Sequence, residues 1–316
     1  MYYFPDKEWK VSTPEQAGIS SLAIDGLLER IEKEKMNLHG LILLHNGYII
    51  LEKYWDESYK NRAEHVFSVT KSVVSLLAGI AISENVINDD ATVISYFPEL
   101  AGKDVDPKYR KLKIMHLLTM SSGQEKDSNW ENGNSISNFF DVPMSHEPGS
   151  QFAYMNGCAT MVSAILQKET GMRLDEYAYE KLFSPIGIEK PRWEINPEGI
   201  CYGGYGVWLK TRDIARIGSL LLSKGKWNDM QVVPENYVAK ATSALRQSFT
   251  EGDPHWTAGY GYYFWQNAAT LGGYHGVGLH GYYCIVLPEH NIVCATTAKG
   301  DMFRILHALE EEIIKR

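Results

Sequence analysis

Ser68 and Lys71, in Phe67-Ser68-Val69-Thr70-Lys71-Ser72-Val73-Val74-Ser75-Leu76-Leu77-Ala78-Gly79-Ile80-Ala81, stand at a spacing that can do chemistry. On a helix, residues three apart project from one face, so a hydroxyl would lie beside an amine. An amine held near neutrality by its surroundings can accept the serine proton, which makes the hydroxyl a nucleophile. Ser68 is expected in the first helical turn, where unpaired N–H groups and the positive end of the dipole favour a developing anion. The spacing alone also fits an N-cap followed by a solvated lysine. A second copy, Ser223-Lys224-Gly225-Lys226, falls where a helix should end at Gly225, with no helix N-terminus aimed at the serine.

Two further groups are candidates. Glu147-Pro148-Gly149-Ser150-Gln151-Phe152-Ala153-Tyr154-Met155-Asn156 offers Tyr154 and Asn156 on a loop introduced by Pro-Gly. Residues i and i+2 of an extended segment point the same way, so phenol and amide can face one site. Tyr59-Lys60-Asn61 has the same form, so the triplet is not specific by itself. The run from Gly272 to Tyr283 (Gly-Gly-Tyr-His-Gly-Val-Gly-Leu-His-Gly-Tyr-Tyr) is dense in glycine just before a strand, which lets another backbone come close. A strand N–H there, with that of Ser68, can form an oxyanion hole.

These groups need elements to hold them. The run after Ser68 is apolar on nearly every face, as a buried helix is, and too short to span a bilayer. Ser20 or Ser21 caps a helix carrying Leu22, Ile24, Leu27, Leu28 and Ile31. Leu41–Leu44 and Tyr48–Leu51 flank Asn46-Gly47, a strong hairpin signal. Helices are expected over Lys113–Met120, Ala159–Thr170, Leu174–Phe183 and Arg212–Lys224 (capped by Thr211), with another opened by Pro234 at its first position. Strand character returns in the aromatic Gly261–Trp265, then in Tyr282–Leu287 and Ile292–Thr297, and Met302–Ile314 closes the chain as a helix. Strands near both ends with helices between predict an α/β (α+β) fold: an antiparallel sheet built from both chain termini, flanking helices, and a mostly helical insertion. The expected division is 1–66 with 245–316 for the sheet and 67–244 for the helical domain, with the site at their interface.

The 316 residues suffice for a sizeable core. A net charge of −8 argues against nucleic acid or an anionic membrane as partner. Cys158, Cys201, Cys284 and Cys294 are widely spaced, so reduced, buried thiols are expected in place of zinc or disulfides. The opening Met1-Tyr2-Tyr3-Phe4-Pro5-Asp6 shows no basic segment followed by an apolar one, so a cytoplasmic location is expected. No metalloprotease or P-loop motif occurs. Neither a metal, a cofactor nor an obligate protein partner is implied.

In this order Ser68-Val69-Thr70-Lys71, Tyr154-Met155-Asn156 and the C-terminal glycine-rich strand resemble the serine β-lactamase and penicillin-binding protein superfamily, in its class C and esterase-like branch. Leu117-Leu118-Thr119-Met120-Ser121-Ser122-Gly123, Glu147-Pro148-Gly149, Leu182-Phe183-Ser184-Pro185-Ile186-Gly187, Thr211-Arg212-Asp213-Ile214-Ala215-Arg216 and Gly225-Lys226-Trp227 extend the resemblance over nearly the whole chain. It implies a serine hydrolase in which Ser68 attacks an ester or amide carbonyl of a small-molecule substrate. Lys71 and Tyr154 would share the proton, Lys71 holding down the pKa of the phenol, and Asn156 would orient Lys71 or the substrate amide. Penicillin-hydrolysing members usually carry Lys-Thr-Gly or a close variant on the C-terminal strand. No such triplet precedes Tyr282 here, and Lys299-Gly300 comes only after the last strand. Gly278-Leu279-His280-Gly281 instead resembles esterases and 6-aminohexanoate-dimer hydrolases. By that likeness Leu279 lends its N–H to the oxyanion hole beside Gly278, and His280 is a wall residue, with a role as base the alternative. Trp130, Phe139, Tyr262, Phe264 and Trp265 can line an acyl cleft or fill the core. A true β-lactamase or D,D-peptidase is the second reading, and a penicillin-binding sensor without turnover the third.

Overall fold

A computed structural model describes residues 2–5, 8–100 and 104–315. Its centre is a six-stranded antiparallel sheet of β1 (Leu38–His45), β2 (Tyr48–Tyr54), β3 (Trp265–Gln266), β4 (Tyr274–Gly278), β5 (Tyr282–Leu287) and β6 (Ile292–Ala298). The strand order is β2-β1-β6-β5-β4-β3, so the two ends of the chain meet where β1 pairs with β6. Asn46 and Gly47 turn β1 into β2 with φ of 51° and 84°. Positive φ at both positions matches the right-handed twist of a hairpin and suits Asn-Gly.

Five helices frame the sheet and the site: α1 (Ser21–Lys33), α2 (Val69–Ser83), α3 (Asn156–Thr170), α4 (Thr211–Leu222) and α5 (Arg304–Leu309). Every residue of β5 and β6 is buried, so both sheet faces are covered. α4 packs on β5 and β6, α1 packs with α5, and α2 lies between α3 and β4. α2 is buried from Val69 to Ala81, as its all-round apolar sequence requires. Among the described residues no helix is long and apolar enough to cross a membrane. All four cysteines are free and buried.

Several boundaries differ from expectation, each for a local reason. The aromatic run Gly261–Trp265 enters the sheet only at Trp265. Tyr263 has φ of 64°, and Gly261 N–H donates to the Phe264 carbonyl, so the chain turns there instead of extending. α3 begins at Asn156, three residues early, because a distant carboxylate caps it, as described below. Lys113 caps a helix over Ile114–Leu118 that stops before Met120, whose φ is 52°. The helix at Leu174 is α-helical to Ala178 and continues as a wider π turn to Phe183; Glu310–Ile314 prolongs α5 in the same way. Lys210, not Thr211, is the N-cap of α4, and the Asp213 carboxylate accepts its N–H; Thr211 bonds Thr297 on β6 instead. Pro234 sits one position earlier than expected, as the cap of a helix over Glu235–Ala241.

Candidate active site

Ser68 lies one residue ahead of the first residue of α2, partly exposed, with φ −73° and ψ −4°. The residue before it is strained. Phe67 has φ of 48°, a left-handed conformation that costs a bulky side chain about 1–3 kcal/mol. Its ring is wedged among His65, His280 and Tyr282 at centroid distances of 4.4, 5.4 and 5.5 Å. The Val66 N–H bonds the Val207 carbonyl, fixing the chain from behind. Strand β4 runs close alongside. A Cβ at Gly278 would stand 2.2 Å from the Val66 carbonyl oxygen, and one at Gly276 would stand 2.3 Å from Ser72 Oγ. Glycine is therefore required at Gly278, where the obstacle is backbone, while at Gly276 the Ser72 hydroxyl would have to turn away; the dense glycines of the sequence are this approach. Among the described residues neither the Ser68 N–H nor the Leu279 N–H donates to a backbone carbonyl.

Lys71 is 1% exposed, and its Nζ has three neighbours: Ser68 Oγ at 2.9 Å, Asn156 Oδ1 at 2.7 Å and the Gly204 carbonyl at 2.7 Å. Burial lowers the lysine to about 7, and the Asp127 carboxylate pulls the other way. The geometry serves both charge states of the amine. Amide oxygen and carbonyl can only accept, so they hold two N–H groups in either charge state, and the third position, which donates to Ser68 Oγ in the ammonium, becomes the lone pair facing that hydroxyl once the proton is lost.

Tyr154 reaches the site from the loop ahead of α3. The motif around Leu117 positions that loop: Ala153 N–H donates to the Met120 carbonyl and Gly149 N–H to that of Ser121, both at 2.7 Å. Lys71 Nζ lies 4.7 Å from the Tyr154 ring centroid, and Trp265 stacks on the ring at 5.8 Å and 27°. The expectation that Lys71 holds down the phenol is not met. Burial pushes Tyr154 up to about 12, the neighbouring Ser68 hydroxyl opposes that, and Asp127 adds to it. A lysine lowered to about 7 carries only part of its charge near neutral pH and holds a phenolate correspondingly less, so amine and phenol are pushed apart into base and acid.

Ser68, Lys71, Tyr154 and Asn156 thus converge, with Gly278 against the backbone that leads to Ser68. His280 is exposed at φ 70° in the turn after β4, its ring edge-on to Phe67 and its carbonyl bonded by the Gly300 N–H. Leu279 is 51% exposed. Of the aromatic residues, Phe139, Tyr262 and Phe264 are fully buried core, Trp265 backs Tyr154, and Trp130 lines a cavity next to Asn156.

Sequence reasoning missed three contributors. Asp127 accepts from the N–H groups of Asn156 (2.8 Å) and Gly157 (2.7 Å), capping α3 from outside the helix. Gly204 supplies the carbonyl to Lys71, and a Cβ there would strike Asn156. Phe67 supplies the strained entry. Only the glycine cluster Gly203-Gly204-Tyr205-Gly206 carried a visible signal.

Known proteins resemble this chain in sequence or in fold. The 6-aminohexanoate-dimer hydrolase of Paenarthrobacter ureafaciens is 22% identical over 264 residues, 76% of this chain and 67% of its own length. The octameric penicillin-binding protein homologue of Pyrococcus abyssi superposes with a TM-score of 0.71 at 17% identity, over 92% of this chain and 78% of that one. A family VIII carboxylesterase superposes with a TM-score of 0.69 at 14% identity, over 97% and 99%. The Beta-lactamase family model matches residues 28–303. With most of its length matched, this chain belongs to the beta-lactamase family.

Proposed function

We propose that the protein is a serine hydrolase that moves the acyl group of an ester or amide first to Ser68 and then to water. The observation that carries this is the Lys71 amine, buried, lowered to about 7 and turned by Asn156 and Gly204 toward the serine hydroxyl. In acylation the Ser68 proton passes to Lys71 Nζ as Oγ attacks the carbonyl carbon. The N–H groups of Ser68 and Leu279 receive the oxyanion, at about 3 kcal/mol per donor in other enzymes. Tyr154, still protonated near neutral pH, donates to the departing oxygen or nitrogen and is reprotonated from the Lys71 ammonium beside it. Water then enters, loses its proton to the same pair, and frees the acid. Asn156 positions the amine. His280, exposed on the turn, is a wall residue in this scheme.

The site lies where the helical part, bounded here at 67–244, meets the sheet. Free buried thiols fit a reducing compartment, and the cytoplasm is the proposed location. Strand β4 holds no lysine and no Lys-Thr-Gly precedes Tyr282, which favours esters and simple amides over β-lactams. The experiment is labelling by a fluorophosphonate probe together with turnover of a p-nitrophenyl ester and of nitrocefin. Labelling lost in Ser68→Ala, with fast ester and slow nitrocefin turnover, is expected. Undiminished labelling of Ser68→Ala refutes the assignment. Fast nitrocefin turnover makes it a β-lactamase, and a stable acyl-enzyme without turnover a sensor.

A further inference from the structure

A cavity of about 360 Å³ opens beside the reacting groups, and its wall includes Asn156, the residue whose Oδ1 holds Lys71. The Tyr202 and Tyr205 rings stack in that wall at 4.8 Å and 20°, Trp130 faces the same space, and the carboxyl groups of Asp127 and Glu131 complete it. Among the described residues no lysine, arginine or histidine lines it. The two carboxylates are not equivalent. Asp127 is spent on the N–H groups of Ser128, Asn156 and Gly157 and on the positive end of α3. Glu131 is exposed and forms no ion pair among the described residues; burial pushes Tyr202 and Tyr205 up, and the charges of Glu131 and Glu194 add to it. Glu194 itself lies 3.7 Å from both His65 and Arg192, so Glu131 is the uncompensated charge.

We propose that this cavity receives an organic ammonium group, so that the preferred ester or amide is positively charged; the proposal rests on the hydrolase reading above. Aromatic faces and an unpaired carboxylate are what desolvated ammonium groups select. A substrate carboxylate would meet two negative charges and no positive one. The net charge of −8 points the same way, because it concentrates cations around the molecule. Through the shared Asn156, a group held here fixes the substrate one residue away from the base.

The test compares p-nitrophenyl esters ending in trimethylammonium, in the neutral isosteric tert-butyl group, and in carboxylate, with chain length varied. A matching set carries the charge on the leaving group, as choline against 3,3-dimethylbutyl esters. The cationic member is expected to exceed its neutral isostere in kcat/KM by about tenfold or more in at least one set, with the carboxylate slowest. Glu131→Gln, and separately high salt, should each shrink that ratio by roughly threefold or more. Alkyltrimethylammonium ions should compete with the neutral ester. Equal rates, preference for the neutral or anionic ester, or an unchanged ratio in Glu131→Gln overturns the proposal. Turnover of the neutral ester and labelling at Ser68 would then leave the hydrolase reading standing, whereas loss of all turnover and labelling removes both.

Discussion

The chain contains Ser-x-x-Lys twice, and the two copies have opposite surroundings. Ser68 precedes a buried helix, so the next turn brings Lys71 back beside it inside the protein. Ser223 follows the last residue of α4, and Gly225 then turns the chain at φ 80° into the short strand Lys226–Trp227. Lys226 is exposed, and its N–H, not its amine, bonds back to the Ser223 carbonyl. Identical spacing therefore gives an amine stripped of water at the head of one helix and an ordinary hydrated one beyond the tail of another. Chemistry comes from burial and from the partners that orient the amine; the pattern only permits it.

The comparison can be broken most directly at the serines. Ser68→Ala is expected to abolish fluorophosphonate labelling and ester turnover, while Ser223→Ala keeps both; the reverse outcome would exchange the two sites. Next come the amines: Lys71→Ala should lower the acylation rate by about 10²–10⁴ and Lys226→Ala should leave it unchanged, with Tyr154→Phe resembling the first. Stopped-flow release of p-nitrophenol measures all three. Glycines at the two sites differ as well. Gly278→Ala pushes on Val66 and should cost about tenfold or more in kcat/KM. Gly225→Ala, at φ 80° and against the Val233 carbonyl, should lower Tm at a cost of about 1–2 kcal/mol or more without altering the rate.

Proton linkage sharpens the contrast further. The acylation rate should climb with pH through a midpoint near 7 as Lys71 loses its proton. Stability has the same sign: between about 7 and the ordinary lysine value of 10.5 the unfolded chain holds the proton and the folded one does not, so stability rises with pH across that window. Lys71→Met should flatten this part of the profile in urea titrations, and Lys226→Met should not. The smallest expected effect is that of Asp127→Asn. Removing a charge that favours the ammonium should move the midpoint of the rate profile downward by less than about one pH unit.

How far the sequence foretells this site depends on the range of the interactions. The Asn46-Gly47 hairpin, the apolar body of α2 and the serine–lysine pair are local, and each was legible. The order of the motifs brought Tyr154 and Asn156 to the right neighbourhood. The start of α3 was not legible, because the Asp127 carboxylate that closes its first turn lies 29 residues before Asn156. The same is true of the Gly204 carbonyl, 133 residues from Lys71, and of the separation of Lys71 and Tyr154 into base and acid, which follows from burial. Tyr263 misled for a different reason: aromatic content signals a strand, but long-range bonds from its neighbours hold the segment in a turn. Its own N–H reaches the Leu118 carbonyl and that of Tyr262 the Ala241 carbonyl.

One carboxylate, that of Asp127, both finishes a helix and biases the proton affinity of the amine nearby. Scaffold robustness and working pH are therefore yoked in this molecule: lineages or designers that alter residue 127 to shift the pH response also loosen the cap of α3. Independent adjustment of the two would have to begin elsewhere, with the depth at which the amine is buried.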